Sequence, residues 1–261
     1  MCTECGCAEP DEHPHHDHDH DHHHEHDHRH GSPARTLRIE EDLLAKNNRL
    51  AADNRALFRR QQVFVLNLVS SPGSGKTSLL ERTLADLRGR LRFAVLEGDQ
   101  QTSNDADRIA AAGVPVKQIN TGAGCHLDAH MVGHGVEAFD LAATDALLIE
   151  NVGNLVCPAS FDLGEDHKVA VLSITEGEDK PLKYPHMFRA ADLLLLNKID
   201  LLPHLRFDLE KCKALARQVN PAVRIFEVSA LTGEGMDKWY GWLEEGVERI
   251  RDAARGMRHA E

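Results

Sequence analysis

The chain has 261 residues and a formal net charge of −12, which fits one α/β domain of roughly 200 residues with extensions. No basic patch dominates, which argues against binding to nucleic acid, and no apolar run approaches the roughly 18 residues of a membrane span. The first 30 residues lack the apolar region of a secretory signal. We therefore expect a cytoplasmic protein whose six Cys are thiols or metal ligands rather than a disulfide framework.

The beginning of the chain has an unusual composition. Residues 1–31 hold 11 of the 18 His, three of the six Cys, and nine acidic residues against one Arg. Because apolar side chains are almost absent from residues 1–34, burial cannot offset the entropy of ordering them, and we predict a disordered, metal-binding head. The His-Asp run at 13–30 fits metal buffering, or else a solvated spacer.

Residues 35–61 are predicted to form a helix, because a leucine recurs every seven residues and two asparagines interrupt the stripe. The leucines are Leu43, Leu50 and Leu57, with Leu44, Ala51 and Phe58 beside them, and the asparagines are Asn47 and Asn54. The pattern leaves two interpretations open: a helix packed on its own domain, or a helix that forms a dimer.

From Val63 onward, short apolar runs alternate with amphipathic stretches, which is the pattern of a parallel sheet covered by helices. The runs predicted as strands are 63–69, 91–96, 114–119, 145–150, 168–174, 192–197 and 223–228. The stretches predicted as helices are 76–88, 104–112, 127–142, 207–219 and 235–254. We therefore predict an α/β fold: a doubly wound, mostly parallel sheet of about seven strands over 62–254, followed by a frayed tail at 255–261.

A glycine-rich segment at 70–77, with the sequence SSPGSGKT, follows the first predicted strand and opens a helix. Its glycines let backbone N–H groups turn inward around phosphate oxygens, and the start of the helix adds a positive end. Lys76 is placed to reach the β- and γ-phosphates of a nucleotide, and the Thr77 hydroxyl is placed to bind Mg²⁺. Ser70 stands where the usual pattern has its first glycine. The residues expected to contact phosphate are Gly73, Ser74, Gly75, Lys76, Thr77 and Ser78.

A second motif, Asn197-Lys198-Ile199-Asp200, follows an apolar strand and should lie at the same end of the sheet. The Asp200 carboxylate can accept from the N1–H and the 2-amino group of guanine together, whereas adenine would leave it unpaired. Ser229-Ala230-Leu231 follows the next strand, where a loop would lie behind the base. The two motifs and the phosphate loop together predict a nucleotide site for GTP rather than ATP.

Two carboxylates at strand ends are candidates for the magnesium site. Glu150 is followed by Asn151-Val152-Gly153, a pattern similar to the Mg²⁺ and γ-phosphate sensor of GTPases, although the acid there is usually Asp. Asp99 is the second candidate, or else a loop carboxylate or helix cap. Asn154 stands where some GTPases have a water-orienting Gln, so we expect slow intrinsic hydrolysis. The predicted catalytic residues are Lys76, Thr77, Asp99 and Glu150.

Three thiols at the start of the chain form the first group of candidate metal ligands. Cys2, Cys5 and Cys7 lie within six residues, and Gly6 gives the chain freedom to wrap around an ion. Loss of Met1 would add an α-amine beside the Cys2 thiolate. Three thiolates and one nitrogen suit square-planar Ni(II), and tetrahedral Zn(II) also fits.

The second candidate group is Cys125 and His126 together with Cys157, from two loops on the nucleotide side of the sheet. These ligands could hold an ion alone, or half of a site shared across a dimer. A buried structural cysteine is the alternative interpretation. The pair His130 and His134, one helical turn apart, is interpreted as structural rather than metal-binding, and Cys212 is interpreted as a core residue of a helix.

Several segments together resemble one known family, the hydrogenase nickel-incorporation GTPases called HypB. They are CTECGC at 2–7, the His-rich run, SSPGSGKT at 70–77, GAGCHLDAHM at 122–131, ENVGNLVCP at 150–158, NKID at 197–200 and SAL at 229–231. The resemblance covers nearly the whole chain and implies a P-loop GTPase of the SIMIBI class that binds GTP or GDP and Mg²⁺. It also implies a tight Ni²⁺ site at the head cysteines and a weaker Ni²⁺ or Zn²⁺ site at the second group.

The resemblance further implies delivery of Ni²⁺ into the large-subunit precursor of [NiFe]-hydrogenase. It implies a homodimer linked to GTP and to metal, and a small zinc-containing partner, HypA. The head cysteines and His run, which not every member has, favour storage of nickel as well as delivery. Our mechanistic hypothesis is that the γ-phosphate orders residues 150–157, so that Cys157 moves relative to the other two ligands.

Three other functions compete with this one. A urease-type nickel GTPase would carry a Cys-Pro-His motif, but Cys157-Pro158 is followed here by Ala159. A passive nickel or zinc storage protein would have no use for an intact Lys76 and Asp200. An ATP-dependent chaperone for another cofactor is disfavoured by the guanine-type motif.

Overall fold

Seven strands form one parallel sheet, which confirms the alternation of apolar runs as a parallel α/β pattern. The computed structural model describes residues 33–99, 104–122 and 124–258. Within them, the strands are β1 (Phe64–Ser70), β2 (Phe93–Asp99), β3 (Val116–Asn120), β4 (Ala146–Gly153), β5 (His167–Ser173), β6 (Leu193–Asn197) and β7 (Arg224–Glu227). Their order in the sheet is β3-β2-β4-β1-β5-β6-β7, and each neighbouring pair is parallel.

Helices cover both faces of this sheet. They are α1 (Pro33–Gln61), α2 (Lys76–Asp86), α3 (Asn104–Ala111), α4 (Ala129–Gly135), α5 (Lys180–Lys183), α6 (Pro185–Ala190), α7 (Leu209–Val219) and α8 (Met236–Arg258). Apolar side chains of α2, α3 and α8 pack on one face, and those of α1, α4, α6 and α7 pack on the other. Alternate residues of each strand point to opposite faces, and apolar side chains on both faces are covered by helices, so the five inner strands are buried, whereas the edge strands β3 and β7 are partly exposed. Among the described residues, no helix is both long and apolar enough to cross a membrane.

Three predicted helix boundaries were wrong. The stretch 127–142 is the short helix α4 followed by two 3₁₀ turns, because Asp140 accepts from the N–H groups of Ala142 and Ala143 and starts a separate turn. Helix α8 continues to Arg258, beyond the predicted start of the frayed tail at 255, with an Arg255–Asp252 ion pair along its exposed side. Helix α1 begins at Pro33, inside the predicted head.

Helix α1 packs on its own domain, through Ala51 and Phe58 of the predicted stripe and not mainly through its leucines. The buried stripe consists of Asn47, Ala51, Asn54 and Phe58, whereas Leu43 is 57% exposed and Leu50 and Leu57 are half-buried. The asparagines therefore lie at the centre of the buried face and do not interrupt it. That α1 also forms a dimer stays a prediction.

Hydrogen bonds across the interface explain these buried asparagines. The Asn54 side-chain amide donates to the carbonyls of Ala129 and Leu163, at 2.8 and 3.1 Å. Asn47 donates to the Asp162 carbonyl at 2.7 Å and accepts from the Ala129 N–H at 2.9 Å. A buried amide is stable only when its polar atoms are paired, and these loops supply the partners. Helix α1 thereby holds the start of α4 and the loop before β5.

Candidate nucleotide and metal site

The phosphate loop lies between β1 and α2, at the carboxyl end of the central strand. Gly73 and Gly75 have φ values of 75° and 87°, in the left-handed region that glycine adopts most easily. A side chain at Gly75 would also collide with the Asn197 amide, 2.6 Å from the position of a Cβ. The loop lines a cavity of about 590 Å³ that is open to solvent and has mostly polar walls. Its size and its polar lining fit a chain of phosphates.

The guanine-type motif braces this loop from behind. The Asn197 side chain donates to the Ser74 carbonyl at 3.0 Å, and Lys198 Nζ donates to the Gly73 carbonyl at 2.7 Å. Asn197 also accepts from the Ala230 N–H at 3.2 Å. The two motifs, 120 residues apart in the sequence, therefore form one unit in the fold.

A second cavity of about 580 Å³ adjoins the first and has an apolar lining. Asp200 lies in its wall, and its carboxylate accepts from the Ser229 hydroxyl. Leu231 is 80% exposed at the mouth of the cavity and Ala230 lies in its wall. A carboxylate held by one hydroxyl, in an apolar slot next to the phosphate cavity, has the shape and the acceptor that a guanine ring requires.

The two predicted catalytic residues of the phosphate loop meet Glu150, which lies within β4 and not at its end as the sequence predicted, because the strand continues beside β1 to Gly153. Glu150 Oε1 accepts from Lys76 Nζ at 3.0 Å and from Thr77 Oγ1 at 2.7 Å. The Glu150 side chain is 2% exposed, and its other oxygen, Oε2, has no hydrogen-bond partner among the described residues. Asp99 lines the phosphate cavity, as does Thr77. The buried Glu150 oxygen that lacks a partner among the described residues, together with the neighbouring Thr77 hydroxyl, fits the oxygen ligands that Mg²⁺ prefers.

The structure brings the second group of candidate metal ligands together. One ligand atom each of Cys125, His126 and Cys157 lies within 4.8 Å of the others, and all three residues are half-buried. Cys125 Sγ is 3.6 Å from His126 Nδ1. The His126 ring packs on Phe161, and burial lowers the pKa of His126, which keeps its imidazole in the neutral form that binds metals. Two thiols and an imidazole form a donor set that suits Ni²⁺ and Zn²⁺.

The segment 150–157 touches both the nucleotide site and the metal site. At one end Gly153 packs against Pro72 of the phosphate loop, where a Cβ would meet the proline Cα at 3.2 Å. At the other end Asn154 donates to the Cys125 carbonyl at 3.3 Å and accepts from the Val156 N–H at 2.8 Å. The segment is therefore in contact with the phosphate loop and both metal-bearing loops.

Several functional candidates lie elsewhere or are not described. Cys212 is fully buried in α7, and burial raises the pKa of its thiol to about 12, so it is a core residue as predicted. His130 and His134 are exposed on α4, with their Nε2 atoms 3.2 Å apart. Cys2, Cys5, Cys7 and the His run lie outside the described residues.

Sequence reasoning missed two kinds of residue at this end of the sheet. Arg108 of α3 lines the phosphate cavity and donates to Ser78 Oγ at 3.2 Å. Buried polar side chains also interrupt two apolar strands, namely Asn67 in β1 and Lys168 in β5. A polar residue inside a continuous apolar strand is the signal that could have found the second kind.

A parallel sheet with a phosphate loop after its central strand, beside a guanine-type motif, defines a P-loop nucleotide hydrolase. Residues 64–227 match the family model described as "CobW/HypB/UreG, nucleotide-binding domain". The chain is 62% identical over 234 residues to the hydrogenase maturation factor HypB of Azotobacter vinelandii, covering 87% of this chain and 77% of that protein. It belongs to the HypB family of hydrogenase maturation factors.

Two further comparisons agree with this membership. The chain is 64% identical over 213 residues to HypB of Escherichia coli (strain K12), covering 82% of this chain and 73% of that protein. Its fold is similar to the crystal structure of HypB from Helicobacter pylori in complex with nickel, with a TM-score of 0.75 and 39% identity. That match covers 78% of this chain and 96% of the other.

Proposed function

We propose that the protein is a GTP-hydrolysing nickel metallochaperone that stores Ni²⁺ and delivers it to the large-subunit precursor of [NiFe]-hydrogenase. The observation that carries the proposal is the segment 150–157, which joins the phosphate loop to the Cys157 thiol. A protein that only stored metal would not need this contact, and a GTPase without cargo would not need the thiols. The membership in the HypB family supports the choice of hydrogenase as the client.

The nucleotide is GTP, with the base held at Asp200 and the phosphates in the loop 73–78. When GTP binds, Lys76 exchanges its bond to Glu150 for the β- and γ-phosphate oxygens, because phosphate charge attracts the ammonium more strongly. The hydroxyl of Thr77 and the carboxylates of Glu150 and Asp99 would hold Mg²⁺, and that ion would supply positive charge to the phosphates during hydrolysis of GTP by water to GDP and phosphate. Hydrolysis is slow in the lone protein.

Nickel is the cargo of the second group of ligands. Cys125, His126 and Cys157 supply three donors, which leaves at least one coordination position for a donor from a second subunit or from the receiving protein. Zn²⁺ can occupy the same site. The head cysteines and the His run hold further nickel, which adds storage to delivery. A relative from Helicobacter pylori whose crystal structure is a nickel complex supports nickel as the metal.

The partners follow from the same proposal. The protein works in the cytoplasm as a homodimer whose assembly depends on GTP and metal, and it cooperates with the zinc-containing partner HypA. A urease client is less well supported, because Ala159 stands where the urease-type motif has its histidine. The incomplete ligand set of one chain is consistent with a site that a second subunit completes.

Nucleotide state and metal affinity are coupled through Gly153. A γ-phosphate enters the loop where Gly153 packs against Pro72, so binding of GTP shifts the segment that leads to Cys157. The separation of Cys157 from Cys125 then differs between the GTP and GDP states. By linkage, Ni²⁺ must change the affinity for GTP over GDP by the same factor.

The test is a Ni²⁺ titration of the full chain carrying Cys2→Ala, Cys5→Ala and Cys7→Ala, with GDP and with a non-hydrolysable GTP analogue. Nickel-thiolate absorption then reports Cys125 and Cys157, because the third remaining thiol, Cys212, is buried and protonated. We expect the Ni²⁺ affinity to differ about 5- to 100-fold between the two nucleotides. Adding Cys125→Ala and Cys157→Ala should abolish the absorption. Equal affinities with both nucleotides would contradict the coupling.

A further inference from the structure

Four buried polar side chains form a continuous path under the two metal-bearing loops. Lys168, Glu165, Asn67 and Asn151 are 7%, 9%, 0% and 1% exposed. We call these four side chains the buried polar chain. Three of them come from different strands, β5, β1 and β4, and Glu165 lies in the loop before β5. They lie side by side because these strands are neighbours in the sheet.

One end of the chain lies beneath the Cys157 loop. Lys168 Nζ donates to the backbone carbonyls of Pro158, Ala159 and Phe161, at 2.8, 3.3 and 3.1 Å. All three N–H bonds of the ammonium are thus directed at the four residues that follow Cys157. Phe161 is also the ring on which His126 packs. A single side chain therefore holds the backbone beside one ligand and the ring beneath another.

The middle of the chain passes through two buried side chains with matched donors and acceptors. Glu165 Oε1 lies 3.8 Å from Lys168 Nζ and accepts from the Asn67 amide at 3.1 Å. The other Glu165 oxygen accepts from the Leu163 N–H at 2.6 Å. Asn67 in turn accepts from the Asn151 amide at 3.2 Å. The Lys168–Glu165 link is an ion pair without a hydrogen bond, whereas the links from Glu165 to Asn67 and from Asn67 to Asn151 are hydrogen bonds with fixed donors and acceptors.

The other end of the chain lies beneath the Cys125–His126 loop. Asn151 accepts from the Leu127 N–H at 3.1 Å, and Leu127 directly follows His126. Asn151 also directly follows Glu150, the carboxylate that contacts Lys76 and Thr77. The buried polar chain thus begins at Lys168 beside the Cys157 loop and ends at Asn151 beside the Cys125–His126 loop. Asn151 is also the neighbour of Glu150, which contacts the phosphate loop.

The cost of burying charged groups indicates that the buried polar chain does more than fill space in the core. Taking an ammonium and a carboxylate out of water costs several kcal/mol for each ion, and apolar side chains of similar size are often as stable in such a place. A lysine among the apolar residues of β5 is therefore explained better by the carbonyls that it holds in position than by stability. Side chains behind metal ligands commonly control ligand geometry in this way.

We propose that the buried polar chain positions the two metal-bearing loops relative to each other, and that it transmits displacement at Glu150 to the separation of Cys125 and Cys157. Its members are positioning residues, because none is a metal ligand or touches the nucleotide cavity. This inference rests on the proposed function, since it assigns residues to the coupling between nucleotide and metal.

The test introduces Lys168→Met into the full chain that carries the three head Cys→Ala substitutions, with Lys183→Met, an exposed lysine of α5, as the matched control. Ni²⁺ affinity is measured from nickel-thiolate absorption, with free Ni²⁺ set by a chelator buffer, in GDP and in a GTP analogue. We expect Lys168→Met to lower the affinity about 10- to 100-fold, to shift the absorption band and to remove the nucleotide dependence. GDP affinity should stay within about 2-fold, because the nucleotide cavity is not touched.

A second variant, Asn67→Ser, breaks the chain at a neutral link and leaves no buried charge unpaired. It should reduce the nucleotide dependence in the same direction. Variants that bind GDP but keep the parent's Ni²⁺ affinity, spectrum and nucleotide dependence would overturn the inference and leave the proposed function intact. Loss of GDP binding in both variants would also overturn it, because the chain would then be part of the nucleotide scaffold. A parent chain with no nucleotide dependence would instead contradict the proposed function itself.

Discussion

Two buried carboxylates, one just before β4 and one within it, have opposite surroundings. Asp145, which precedes the strand, is 5% exposed, and Glu150, the fifth of the strand's 8 residues, is 2% exposed. Asp145 accepts from the Arg92 N–H and guanidinium and from Arg251 Nη2 at 2.9 Å. Glu150 has one oxygen bound by Lys76 and Thr77, while no described residue bonds to the other. We propose that the carboxylate is structural at Asp145, where its partners are complete, and functional at Glu150, where one oxygen lacks a described partner.

The largest expected effect comes from Glu150→Gln, which tests whether Glu150 differs in role from Asp145. We expect the rate of GTP hydrolysis to fall roughly 100-fold or more, because the amide binds Mg²⁺ poorly and cannot balance its charge. GDP affinity and the melting temperature should stay near those of the parent chain. The measurement is steady-state phosphate release at saturating GTP, with Glu248→Gln, an exposed residue of α8, as the control. An unchanged rate would show that Glu150 is as structural as Asp145.

The next largest effect is expected at Asp200, a third carboxylate at the functional end of the sheet. Asp200→Asn should weaken GDP binding about 100-fold, because an amide cannot accept from both guanine donors. The same variant should gain affinity for xanthosine diphosphate, since xanthine has a carbonyl in place of the 2-amino group. Fluorescence titration with both nucleotides measures the exchange. A uniform loss for both would mean that Asp200 supports the loop and does not bind the base.

Substitution of Asp145, the carboxylate with complete partners, should change the stability of the fold and not the activity. Asp145→Asn removes charge-assisted bonds to Arg92 and Arg251, and we expect it to lower the free energy of unfolding by about 2 kcal/mol. GTP hydrolysis by the folded fraction should not change. Asp252→Asn, at an exposed ion pair, is the matched control, and urea unfolding is the measurement.

The pH dependence of this stability difference follows from the pKa of Asp145. Burial raises that pKa, but hydrogen bonds from Arg92 and Arg251 outweigh burial and hold it below 3.8. A carboxylate whose pKa is lower in the folded than in the unfolded chain stabilises the fold above the unfolded value, about 3.9. The difference between parent and variant should therefore be constant from about pH 8 to pH 5 and shrink below about pH 4. A difference that grew as the pH fell would contradict the assignment.

Features that depend on consecutive residues could be predicted from the sequence. The phosphate loop at 70–77 and the motif at 197–200 are each recognised from a short run of residues, and all seven strands were predicted as apolar runs. In α1 the burial of Ala51 and Phe58 agrees with the predicted stripe, but the role of Asn47 and Asn54 was wrong, because they are buried only where distant loops offer partners. Those partners lie 75 or more residues away.

The buried polar chain was missed because its partners, too, are known only from the fold. In the sequence, Lys168 only interrupts an apolar strand, and its role becomes visible when the structure places the carbonyls that follow Cys157 against its ammonium. Cys125, His126 and Cys157 were recognised as candidates because soft ligands are rare, but their separation depends on how β3 and β4 end. Sequence patterns thus identify the groups that do chemistry more readily than the groups that hold them.

The smallest predicted effect concerns Asn154, which joins the functional end of β4 to the Cys125 loop through one 3.3 Å bond. Asn154→Ala should lower the coupling between GTP analogue and Ni²⁺ only in part, by about 0.5 kcal/mol or roughly 2-fold, because it removes one long neutral hydrogen bond and leaves the buried polar chain in place. Asn48→Ala, an exposed site on α1, is the control. The coupling is measured as the ratio of Ni²⁺ affinities in the two nucleotides. If Asn154→Ala removed the coupling completely, the bond from Asn154 to the Cys125 carbonyl, and not the buried polar chain, would transmit the displacement. The residues that link nucleotide and metal would then lie in the loop after β4 and not within the sheet.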